Sequence, residues 1–196
     1  MVTVFIRWTW MRAVLHNGWW LVTSVYLVVD AGLSPAELVL IGSVQGVFAL
    51  VCEIPAGVFA DTVSRKWSLV ISQLLMGTAM LTTGLFGSFP ALVATQVLWG
   101  ISWTFASGSD VAWITDELDQ PDQITAVLAR AARAQLTGAA TGLIALGLLA
   151  WATRRDLTIA AIAGLTTLPV ALTACAALFA ATAVLMSQPT KAESAV

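Results

Sequence analysis

The sequence predicts an all-α integral membrane protein of about six transmembrane helices with both termini cytoplasmic, and three observations predict it. The 196 residues are 59% hydrophobic and only 10% charged, with a mean hydropathy of +0.88, whereas soluble domains carry about 25% charged residues. Turn signals divide the chain into six apolar stretches, each of the roughly 20 residues needed to cross a hydrocarbon core. The basic residues are also asymmetric, with Arg7, Arg12, Arg65, Lys66, Arg130, Arg133 and Lys191 on the termini's side against Arg154 and Arg155 opposite, which orients the termini inward.

Helix 1 is expected over about Met11 to Val29, ended by Ala31-Gly32-Leu33-Ser34-Pro35. Ser34 then serves as N-cap, Pro35 as N1 and Glu37 as N3 of helix 2. Arg7 and Arg12 ahead of an apolar stretch imitate a signal peptide, but no small-x-small cleavage site follows, so the stretch is read as a retained span. Helix 2 covers about Ala36 to Ala60 and helix 3 about Trp67 to Phe86, joined by the charged turn Asp61 to Lys66. Helix 4 runs from about Pro90 to Thr115 and stops at Asp116 to Gln123, too polar for hydrocarbon. Helix 5 covers about Ile124 to Trp151 and helix 6 about Leu157 to Met186, followed by a cytoplasmic tail, Ser187 to Val196. Trp8, Trp10, Trp67, Trp113 and Trp151 fall near span ends, as an aromatic belt would. Gly42-x-x-x-Gly46 and Gly138-x-x-x-Gly142 read as close-packing motifs.

Charge and cysteine content narrow the function classes. A net charge of -2 spread over short loops leaves no basic patch for nucleic acid. Cys52 and Cys175 stand alone in apolar runs and form neither a disulfide framework nor a metal motif, so no cofactor or metal is expected.

The turn after helix 2 reads Gly57-Val58-Phe59-Ala60-Asp61-Thr62-Val63-Ser64-Arg65-Lys66-Trp67-Ser68-Leu69. It resembles the signature loop of the major facilitator superfamily, G-x-L-A-D-R-x-G-R-K-x-x-L, matching at Gly57, Ala60, Asp61, Arg65, Lys66 and Leu69, with Thr62 and Ser64 where the pattern has arginine and glycine. Physically, the glycine permits close packing at the end of helix 2, and the carboxylate can cap a neighbouring helix. The resemblance implies an amino-terminal six-helix half of a transporter, similar to bacterial drug exporters. It further implies that Asp61 and Arg65 form a charge cluster with an acid at the end of helix 4, Asp116 first and Asp110 second. The runs Glu53 to Gly57 and Ser107 to Asp110 are similar to those of the same members. The family's helix 4 motif R-x-x-Q-G is reduced here to Gly100 of Gln96 to Gly100, and the missing arginine argues against ordinary drug-proton antiport.

Candidate binding groups come from helical spacing. Gln96, Trp99, Trp103, Ser107 and Asp110 share a narrow stripe on helix 4, and such a stripe belongs against protein or a water-filled cavity. Helix 1 adds His16, Asn17, Trp19, Trp20 and Tyr26. His16 reads either as a cavity group that titrates near neutral pH or as an interfacial side chain within a turn of Arg12. Glu53 shares a small-residue face with Gly42, Gly46 and Ala49, which places its carboxylate in a tight helix contact, there to carry a proton or to serve as a hydrogen-bonded neutral acid.

The expected function is transport of a small amphipathic or aromatic solute across the plasma membrane by alternating access. The chain carries one six-helix half, so a separate second half, a homodimer or a truncated product is expected. A non-transporting membrane subunit is the alternative. An intramembrane serine protease, suggested by Ser107-Gly108-Ser109, lacks a histidine in the last two helices to act as base.

Overall fold

The computed structural model describes residues 2–118 and 121–155, all in helices and short turns. The sixth span (157–186), the tail (187–196) and Cys175 lie outside the described residues, as do the side chains of Arg154 and Arg155. The described elements are α1 (Val2–Val25), extended by a π-helical turn (Tyr26–Asp30), α2 (Pro35–Thr62), α3 (Arg65–Leu85), α4 (Phe89–Ala106), α5 (Ser109–Leu118) and α6 (Pro121–Arg155).

Local chemistry sets these boundaries. Ser34 accepts the Glu37 amide at 3.3 Å while the Glu37 carboxylate accepts the Ser34 amide at 2.8 Å, a complete capping box at the start of α2 that satisfies two otherwise orphaned donors. Ser64 caps α3 by accepting the Trp67 amide at 3.3 Å. That cap, expected of Asp61, therefore comes from the serine that stands where the loop pattern has glycine. Helix α1 begins at Val2, about nine residues before the expected start.

The stretch read as one helix from Pro90 to Thr115 is two. Gly108 has φ +74°, a left-handed conformation that glycine adopts without steric cost, and it separates α4 from α5. The break frees the Phe105 carbonyl, which would accept the amide of residue 109 in an unbroken helix. The Ser68 hydroxyl of α3 donates to that carbonyl at 2.7 Å, and the Ser109 hydroxyl lies 3.4 Å from the Ser68 oxygen. A polar group that hydrocarbon could not satisfy is thereby satisfied internally.

Helix α1 packs along α6, α4 packs between α2 and α3, and α5 bridges α3 and α6. The α1–α6 contact is parallel: an added Cβ at Gly138 would lie 2.6 Å from the Trp10 carbonyl oxygen, one at Gly142 would overlap the Val14 carbonyl, and one at Gly18 would overlap Leu146. The Gly138/Gly142 pair thus lets two backbones touch, as small residues do where hydrophobic burial gives no driving force between helices. Parallel alignment also requires an odd number of traverses between α1 and α6, which α2, α3 and the α4–α5 segment provide.

Two apolar clusters complete the packing. Phe5, Trp8, Leu69, Val70, Trp113, Ile114, Val127 and Ala131 join α1, α3, α5 and α6 at one end. Leu15, Trp19, Met76, Ala79, Met80 and Trp99 join α1, α3 and α4 further along. Trp8 and Trp113 are therefore core residues and not part of an aromatic belt, because each meets Phe5 at a ring separation of 6.0 Å. Trp10, Trp67 and Trp151 are exposed.

Three described segments are long and apolar enough to cross a membrane: Pro35–Thr62, Arg65–Leu85 and Phe89–Leu118, the last running across the Gly108 break. Helix α2 exposes Val39, Leu50, Ile54 and Val58 over most of its circumference, a contiguous apolar surface that suits lipid or another protein but not water. Helix α1 falls outside that set, carrying Arg7, Arg12, His16, Asn17 and four tryptophans. Helix α6 has a polar first half.

Candidate functional site: an aromatic and charged seam between two helices

The backbones of α1 and α4 do not pack closely, since each lies against other helices. Large side chains bridge the gap between them. Trp99 of α4 is at the centre, with His16 stacked on it at 5.4 Å and 16°, Trp19 at 5.7 Å, Trp20 at 5.2 Å and Trp103 at 6.4 Å. His16 also meets Trp103 at 5.4 Å. These separations lie in the range where aromatic pairs attract beyond simple area burial.

At one end of this seam the Arg12 guanidinium donates to Asp110 at 3.3 Å and sits over the faces of Trp8 and Trp103 at 5.2 and 5.9 Å. Arg12 thus has a counter-ion on one side and ring quadrupoles on two others, an arrangement suited to a cation held away from water. Asp110 reaches Arg12 because the Gly108 break re-aims the chain, and its other oxygen accepts the Val111 amide at 2.8 Å.

Several buried donors in and around the seam have no partner among the described residues: the indole nitrogens of Trp8, Trp19 and Trp99, the Gln96 amide nitrogen and His16 Nδ1. Gln73 on α3 is fully buried with both amide atoms unpartnered. Unsatisfied buried groups of this kind call for water or a ligand. The seam thus combines packed rings, one ion pair and several unmet hydrogen-bonding groups.

Of the candidate binding residues, the structure brings His16, Trp99, Trp103 and Asp110 together and leaves Gln96 buried on the same helix as the two tryptophans. Asn17 turns away, donating to the Ala13 carbonyl at 2.9 Å. Ser107 is exposed at the helix break. Among the described residues Glu53 does not lie in a tight helix contact. It is exposed on α2, and added Cβ atoms at Gly42 and Gly46 meet nothing within 4 Å, because α2 packs through Gln45 and Ala49 against Gly100. Arg12, Gln73 and Ser68 are additions to the sequence reading. Arg12 carried a signal there, as an arginine one turn from His16; Gln73 showed only as an amide within an apolar run.

A second charged group forms at the α2–α3 turn. Arg65 donates to Asp116 of α5 at 2.6 Å and to Asp61 at 3.4 Å, all three solvent-accessible, while Lys66 is buried. Gly57 is exposed, and an added Cβ there meets nothing within 4 Å among the described residues. No protein-family model matches the chain, and no curated protein matches it.

Proposed function

We propose that the chain is a six-helix half of a solute transporter of the major facilitator type, working by alternating access in the plasma membrane with both termini cytoplasmic. The observation that carries this reading is the Asp61–Arg65–Asp116 cluster. A loop whose residues resemble the superfamily's signature bridges two elements that a generic positive turn has no reason to connect. The pairs are exposed and individually weak, as suits a latch that must open and close.

The aromatic seam supplies the second requirement, a surface for solute. Trp99, Trp103 and His16 would stack on an aromatic or amphipathic molecule, and the unpartnered indole and amide donors would meet its acceptors. The exposed apolar face of α2 supports a partner half, either a separate chain or a second copy, against which the latch would close. The alternative, a non-transporting subunit, treats the seam as helix glue.

Flux separates these readings. Proteoliposomes holding this chain, alone or with its co-purifying partner, are expected to move fluorescent aromatic probes such as ethidium or fluorescein. Trp99→Ala/Trp103→Ala should abolish uptake by removing the stacking surface, and Arg65→Gln should slow it while leaving probe binding intact. Wild-type flux in the tryptophan variant, or no flux in any preparation, would end the transport reading.

A further inference from the structure

Away from the seam, the early turns of α1 and the first half of α6 enclose a cleft of about 560 Å³, within the range of ligand sites. Its floor is apolar, formed by Ile6, Trp10 and Met11 from α1 and Ala134 from α6. Arg7, Arg130 and Arg133 border it. Arg130 and Arg133 are three residues apart and share a helix face, and the parallel register that sets Trp10 beside Gly138 brings Arg7 level with them.

The ion pairs among the described residues are made by Arg12 and Arg65, so the three arginines at the cleft have no acidic partner there. Exposed guanidinium groups without counter-ions are suited to phosphate, which they bind bidentately. A small soluble anion would leave the apolar floor unused. An amphiphile uses both parts, and exposed Trp10 adds the amphipathic ring typical of a membrane–water boundary.

We propose that this cleft binds an anionic phospholipid, with its phosphate held by Arg7, Arg130 and Arg133 and the start of an acyl chain along Ile6, Trp10 and Met11. The site is separate from the solute seam and does not depend on the transport reading. It requires only that the chain resides in a membrane.

The test is native mass spectrometry of the detergent-solubilised full chain titrated with phosphatidylglycerol or phosphatidylcholine. Phosphatidylglycerol should be retained in preference, and each of Arg7→Gln, Arg130→Gln and Arg133→Gln should weaken it about five-fold, the equivalent of about 1 kcal/mol per cation. Ala134→Trp, which fills the apolar floor and keeps every charge, should also weaken retention. Circular dichroism identical to wild type shows that the variants are folded. Equal retention of the two lipids, or undiminished phosphatidylglycerol binding in the triple arginine variant, overturns the proposal. So does displacement of the lipid by glycerol phosphate at matched concentration, which would make this a soluble-phosphate site. A dimer that dissociates in the triple variant with lipid retention unchanged assigns the face to a second copy and equally overturns it.

Discussion

Replacing Asp110 by Asn removes the counter-ion of Arg12 and keeps nearly the same side-chain volume. At 3.3 Å and an effective dielectric constant of about 20, the attraction is about 5 kcal/mol. The two side chains retain 17% and 30% of their accessible surface, so water recovers part of that loss, and the Trp8 and Trp103 faces still hold the cation by roughly 0.5–2 kcal/mol. A destabilisation of about 2–3 kcal/mol follows, somewhat below that of a fully buried pair broken from one side. Arg12→Met/Asp110→Asn removes both charges and should lie within about 1 kcal/mol of wild type, because no orphan charge remains; Arg12→Met is the second single variant. Denaturant unfolding in detergent, followed by tryptophan fluorescence, completes the double-mutant cycle with an expected coupling near 2 kcal/mol. If Asp110→Asn lies within about 0.5 kcal/mol of wild type and the single effects add, the seam is not organised around this pair.

Two glycine substitutions test the backbone. Gly142→Ala forces a Cβ into the Val14 carbonyl and should cost about 1–3 kcal/mol, whereas Gly147→Ala, whose Cβ meets Leu21 at 3.6 Å, should be neutral or gain up to about 1 kcal/mol of helix propensity; equal effects in thermal unfolding would refute the close α1–α6 contact. Gly108→Ala has open space around it but φ +74°, so its cost of about 1–2 kcal/mol is purely conformational. Gly108→Asn should recover part of that cost, and an Asn variant no better than Ala would mean that the left-handed turn is not what the site requires.

The helices were legible where local chemistry repeats. The Ser34-Pro35-Ala36-Glu37 box marks its own position because caps act over a few residues, whereas α5 continues to Leu118 and α6 starts at Pro121, both inside the polar stretch expected to be a turn. The Gly108 break was not legible, since Trp103 to Ala112 lies inside a stretch that reads as one helix and the hydroxyl that satisfies the freed carbonyl comes from Ser68, 37 residues away. For the same reason Trp8 and Trp113 looked like a belt: proximity to a span end is a sequence property, but contact with Phe5 is a tertiary one. The stripe on helix 4 placed Trp99 and Trp103 on one face correctly by periodicity. The tight contact expected of Glu53 is not found among the described residues, because a small-residue face states that a helix can be approached closely, not that it is, and α2 turns Gln45 and Ala49 toward Gly100.

The two sides of α1 tolerate change in opposite directions. Toward α6, contact depends on side chains being missing, so almost any substitution at Gly138 or Gly142 adds atoms where none fit. Toward α4, it depends on side chains being large, so substitution at Trp99, Trp103 or Trp20 subtracts atoms and leaves a space lined by the remaining rings. Variation can accordingly reshape the second boundary while the first keeps the helix in place. One edge of α1 serves as the fixed frame, and the other as the adjustable wall.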